Sequence, residues 1–127
     1  MGKLFLAGIG GFAGSALRYA VTGFVQNSNS STRFPFGTLT VNLIGCLLIG
    51  FLSELAEVRG IFTADTRVLI FVGVLGGFTT FSAFGNETMN LWHDGESALA
   101  IANIAAHVVL CLGAVWSSRA IALQIWS

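Results

Sequence analysis

Charge is what this sequence has least of. Charged side chains make up 9% of 127 residues, six basic and six acidic, where a soluble domain carries about 25%. So sparse a polar surface excludes a water-soluble domain. A net charge of zero gives none of the basic surface that a nucleic-acid partner would need. Proline is confined to Pro35, so no long apolar segment carries a proline kink. Cysteine occurs only as Cys46 and Cys111, both inside apolar segments, where they read as small packing residues rather than a disulfide or metal pair. No embedded cluster of carboxylates and histidines has metal-ligand spacing. No Ser/His/Asp or Cys/His set stands either, since His93 falls in a polar turn and His107 lacks an acidic partner. The chain is therefore expected not to be an enzyme.

What the chain has is apolar length. Hydrophobic residues account for 54% of it and fill four windows long enough to cross a bilayer, which takes roughly 20 residues each. The windows are 4–25, 37–56, 67–92 and 97–125. They leave only short loops, which predicts a single integral membrane domain over 1–127: an all-α, four-helix, multi-pass protein of the cell (inner or plasma) membrane. Lys3 ahead of an apolar run could imitate a secretory signal. The run is too long, however, and holds Arg18 where a cleavage site would be needed, so a retained first helix is expected. Four spans put both termini on one side, with Lys3, Arg59, Arg67 and Arg119 there and Arg33 opposite. That leans toward cytoplasmic termini by a margin that leaves insertion in both orientations open.

The third window is interrupted. Its stretch Gly-Gly-Phe-Thr-Thr at 76–80 is poorly suited to a plain spanning helix, because glycine gives up backbone entropy and threonine competes for backbone hydrogen bonds. Loose backbone at membrane depth must be buried in protein or line a cavity, so a break near 76–80 marks a candidate site. Phe81 and Phe84 follow it three residues apart, with Thr80 and Ser82 alongside. Thr38 and Asn42 share a face of the second window, and Asn103, His107 and Cys111 share one of the fourth. Glu87 and Arg18 are the ionisable residues nearest the hydrocarbon edge. Each also has a plainer reading: Asn42 as interhelical glue, His107 as a satisfied interior histidine, the phenylalanines as core or lipid contacts, Arg18 as a structural clamp. Gly10-x-x-x-Gly14 is a small-residue packing face. Four helices cannot hide so many polar groups alone, which points to an oligomer, a dimer above all.

Together these groups suit a permeation path better than catalysis. Aromatic rings carry a positive edge that can solvate a small anion without trapping it, and amide and hydroxyl donors add to this. Carbonyls freed at the break would instead suit a cation.

The motifs that carry these residues resemble the Fluc (also called CrcB) fluoride channels over essentially the whole chain. They are Gly10-Gly11-x-x-Gly14-x-x-x-Arg18-Tyr19, Gly37-Thr38-Leu39-x-Val41-Asn42, and Gly76-Gly77-Phe78-Thr79-Thr80-Phe81-Ser82-x-Phe84 with Glu87. The resemblance implies an antiparallel, dual-topology homodimer with two fluoride pores at its interface. Phe81 and Phe84 would line the pores with ring edges, Asn42 would be a pore-side donor with Thr38 near the same path, and Glu87 would sit near a pore end. It also implies a structural Na⁺ at the dimer centre, held by the backbone carbonyls of Gly76 and Thr79 from each subunit, and a structural role for Arg18. The chain departs from the family pattern at Ala83 and Gly85. On the fourth helix, Asn103, His107, Cys111 and Val115 stand near the positions of a hydroxyl track. The function implied is passive export of cytoplasmic fluoride. A proton-coupled small exporter is disfavoured because the first helix has no acidic residue, and a non-transporting scaffold leaves the interrupted third helix unmotivated.

Overall fold

A computed structural model describes residues 1–126. Four long helices are apolar enough to cross a membrane: Gly2–Ser28, Phe36–Arg59, Ala64–His93 and Ser97–Trp126. Among the described residues there is no strand. The first three helices run a few residues past their apolar windows, because Lys3, Arg59 and Asp65 continue the helical backbone beyond the hydrocarbon-like stretch. Local chemistry sets the ends. Gly60 closes the second helix in the left-handed conformation (φ 61°), which glycine adopts without steric cost. Gly95 (φ 81°) makes the turn after the third. The Thr63 hydroxyl accepts from the Thr66 N–H at the start of the third.

The third helix is not uniform. Val68–Leu75 is π-helical, Gly76–Phe78 returns to α, and Phe81–His93 completes the span. Between the last two, Thr79 (φ −91°, ψ 159°) and Thr80 (φ −153°, ψ 121°) are extended. The glycines expected to loosen the chain at 76–80 thus stay helical, and the two threonines carry the extended backbone. The reason is packing. A Cβ on Gly77 would lie 2.7 Å from the Gly11 carbonyl oxygen, so Gly77 serves close contact rather than unwinding. The fourth helix has a second π-helical turn at His107–Cys111, a feature that often marks functional positions and that hydrophobic spacing does not disclose.

The first helix packs along the first half of the third, and the second packs along the C-terminal part of the fourth. Gly10 and Gly73 meet backbone to backbone: a Cβ on Gly10 would lie 2.9 Å from Gly73 Cα, and one on Gly73 would lie 2.8 Å from Gly10 Cα. On the other pair, Gly50 lies against the fourth helix, where a Cβ would come 2.7 Å from the Val115 carbonyl oxygen. Small residues let backbones approach where lipid supplies no hydrophobic drive between helices. Little apolar bulk is buried, and Leu4, Phe5, Phe12, Phe24 and Trp116 face outward, as suits a lipid-facing surface. Arg33 pairs with Asp94 (2.8 Å) at one end of the bundle, and Arg119 approaches Glu54 (3.8 Å) in the other helix pair.

Replacing Gly10 with alanine should cost about 1–3 kcal/mol, the usual scale for overpacking, and lower the thermal midpoint in detergent. Gly8→Ala, on the same helix with nothing within 4 Å of the added carbon, should leave the midpoint unchanged.

Candidate functional site

The extended pair at Thr79 and Thr80 creates a hydrogen-bonding problem that the second helix solves. Asn42, 8% exposed, takes the Thr80 N–H on its Oδ1 (2.8 Å) and donates Nδ2 to the Thr80 carbonyl (2.9 Å). One side-chain amide therefore pairs with both polar groups of one residue. Around it the helical ladder is rerouted. In a continuous α-helix the Thr80 N–H would bond the Gly76 carbonyl and the Ala83 N–H the Thr79 carbonyl. Here the first goes to Asn42 and the second to the Thr80 hydroxyl (3.2 Å), which caps the final helical segment. The Gly76 and Thr79 carbonyls thereby lose their ladder donors. Arg18 Nε donates to the next carbonyl after Gly76, that of Gly77 (3.0 Å).

From Asn42 the network continues into the fourth helix. Its Nδ2 lies 3.1 Å from His107 Nε2, and His107 Nδ1 lies 3.1 Å from the Asn103 carbonyl. Asn103 is completely buried and donates to the Thr88 hydroxyl (2.8 Å), which donates in turn to the Phe84 carbonyl (2.7 Å). Rings stack onto the same cluster: Phe84 lies 4.3 Å from the His107 ring and 5.3 Å from Phe81, centroid to centroid, both pairs tilted.

These groups line one open cavity of about 450 Å³, with Asn42, Thr79, Thr80, Phe81, Phe84 and His107 on its wall together with Gly76. The remaining candidates lie elsewhere. Asn103 sits behind the wall, where it holds His107 and Thr88. Ser82 is exposed and lies 3.4 Å from the Thr80 hydroxyl without lining the cavity. Thr38 donates to Glu87 (2.8 Å), and both line a separate recess of about 390 Å³ beside Thr22, Arg33 and Asp94. Phe81 is 82% exposed on the single chain.

The sequence did not point to Thr88, nor to a place for Cys46 on the cavity wall. Thr88 is the hydroxyl that joins Asn103 to the Phe84 backbone, and nothing in the spacing of 88 and 103 announces it. Cys46 and Cys111, read as packing residues, line the same cavity; their place follows from being one turn beyond Asn42 and His107 on the same faces.

Comparison with known proteins agrees with this chemistry. The family described as "CrcB-like protein, Camphor Resistance (CrcB)" matches residues 5–119. The chain belongs to the CrcB family. Among curated relatives, a protein named fluoride-specific ion channel FluC from Methylobacillus flagellatus is 46% identical over 116 residues, 91% of each chain. A FluC from Parabacteroides distasonis is 47% identical over 114 residues, 90% of this chain and 88% of the relative. FluC 3 from Methanosarcina barkeri is 39% identical over 127 residues, all of this chain and 95% of the relative. With four membrane-length helices, this CrcB member is a multi-pass membrane protein.

Asn42→Leu should strand the Thr80 N–H and carbonyl in an apolar setting, at about 1–3 kcal/mol for each orphaned group. The expected outcome is a lower thermal midpoint in detergent and faster amide exchange at Thr80, with the Gly10 helix contact unaffected.

Proposed function

We propose that this protein is a passive, fluoride-selective channel of the cell membrane that exports cytoplasmic fluoride and catalyses no reaction. One observation carries the reading: Phe81, Phe84 and the Asn42 amide converge on a single cavity beside the extended Thr79–Thr80 pair. Names of relatives 39–47% identical support the same ion.

Fluoride gives up a large hydration energy to enter a narrow bore, and the wall must replace it. Ring edges at Phe81 and Phe84 present partial positive charge, while the Asn42 amide and the Thr80 hydroxyl add polar partners. No full positive charge lines this cavity, so an anion is solvated without being trapped, the balance that conduction requires. Thr38 and Glu87 belong to the recess at the Arg33 and Asp94 end, which is assigned as a mouth of the path. Ser82 and Asn103 act from outside the wall, through Thr80 and His107.

A second copy, inserted antiparallel, is proposed to complete the bore. The exposed Phe81 ring and the open side of the cavity support a face meant to be covered, and a bias of only four basic residues against one between the two ends is compatible with insertion both ways. The extended pair is proposed to be a break at mid-membrane that meets its counterpart there. The Gly76 and Thr79 carbonyls, relieved of their ladder donors, fit a hard monovalent cation, which oxygen ligands favour. A Na⁺ ion held by them would supply a fixed positive charge at the subunit junction. Arg18 keeps the intervening Gly77 carbonyl engaged, a structural role.

Purified protein in liposomes should release fluoride downhill at rates indifferent to an imposed proton gradient. Phe81→Ile or Phe84→Ile should cut the flux roughly tenfold or more, about 1.4 kcal/mol of barrier. Flux tied to protons would indicate a coupled transporter, and no flux would leave a scaffold. Accessibility labelling of the 26–36 loop should detect it on both faces of the membrane; a single orientation would contradict the antiparallel pair.

A further inference from the structure

We infer that His107 sets the anion affinity of the cavity by deciding what the second N–H of Asn42 does, an inference that rests on the fluoride-channel reading above. The Thr80 N–H must be given an acceptor, and it meets Asn42 Oδ1 at 2.8 Å. That fixes the amide orientation and leaves Nδ2 with two hydrogens to place. One goes to the Thr80 carbonyl at 2.9 Å. The other points at His107 Nε2, 3.1 Å away. An amide nitrogen only donates, so Nε2 must be bare and the ring proton must sit on Nδ1, where it donates to the Asn103 carbonyl at 3.1 Å. Backbone pairing at Thr80 thus dictates a neutral histidine in a single tautomer, two hydrogen bonds away.

In that state His107 competes with the anion, because it occupies the one Asn42 hydrogen not engaged by the backbone. Protonation reverses its role. Nε2–H then faces Nδ2–H across 3.1 Å, and two donors cannot satisfy each other. Both can share a small anion entering from the cavity that Asn42 and His107 line together. The imidazolium has no carboxylate there to pair with. The other titratable groups on the cavity wall are Cys46 from the second helix and Cys111 from the fourth. From the third helix, Glu87 is turned to Thr38 in the separate recess, and from the first, Arg18 is bonded to the Gly77 carbonyl. A fluoride ion held between an amide and an imidazolium binds more tightly and leaves more slowly. His107 is accordingly a positioning residue for Asn42 when neutral and a direct anion donor when charged.

Initial fluoride efflux is measured against internal fluoride, with about pH 7.5 and then about pH 5.5 on both sides, values that bracket the ordinary imidazole range. Leak from protein-free liposomes is subtracted. For the unmodified protein, acidification should lower both the half-saturating fluoride concentration and the maximal flux several-fold. His107→Gln, whose carbonyl can accept from Asn42, should lose the pH response, giving one half-saturating concentration and one maximal flux at the two pH values whatever its flux at neutral pH. His107→Leu, which frees the Asn42 hydrogen, should half-saturate at lower fluoride than the unmodified protein at neutral pH and ignore pH. Superimposable curves for the unmodified protein, or a pH response that survives in His107→Gln, would overturn the inference alone. No flux at either pH would contradict the channel reading and this inference with it. Should the variants fail to fold, ¹⁵N spectra of histidine-labelled protein, with His93→Gln for assignment, decide the geometry independently. A neutral His107 protonated on Nδ1 supports it, and one protonated on Nε2 overturns it.

Discussion

One side-chain amide paired with one backbone residue holds the structure's central feature in place. Lipid cannot repair an open hydrogen-bond ladder, so the extended pair at Thr79 and Thr80 persists only because Asn42 answers both polar groups of Thr80. That single pairing has three consequences. It releases the Gly76 and Thr79 carbonyls from the ladder. It restarts the helix at Phe81 under the Thr80 cap, which sets where the Phe81 and Phe84 rings stand. And it fixes the Asn42 orientation, which reaches through His107 to Asn103.

Glycine supplies the rigidity against which this arrangement is held. With Gly10 against Gly73 and Gly77 against Gly11, the third helix lies too close to the first to shift or straighten without collision. Gly50 plays the same part between the second and fourth. Arg18 extends this support by engaging the Gly77 carbonyl, next after the released one at Gly76. The outcome is a thin bundle with few buried apolar side chains, whose cavity opens to one side.

Much of this was legible from composition and periodicity. Four apolar windows found the four helices, and polar residues four apart found the faces of Asn42 and His107. What escaped had a common cause. Asn42 and Thr80 are 38 residues apart and Asn42 and His107 are 65 apart, so the pairing that organises the cavity leaves no local pattern. The same holds for Thr88 beneath Asn103. The glycines at 76 and 77 suggested unwinding because their freedom is a property of the residue, whereas the use of Gly77 against Gly11 is a property of the neighbour. Ser82 shares that stretch of sequence but does not line the cavity. The π-helical turns at Val68–Leu75 and His107–Cys111 add a residue to a turn without changing which residues are apolar.

The central claim is that an extended two-residue interruption, clamped by Asn42, exists in the membrane-embedded protein. Solid-state NMR carbon shifts of threonine-labelled protein in bilayers test it most directly. Thr79 and Thr80 should show Cα and Cβ shifts of extended backbone, flanked by helical values at Phe78 and Phe81. Helical shifts at both threonines would contradict the account.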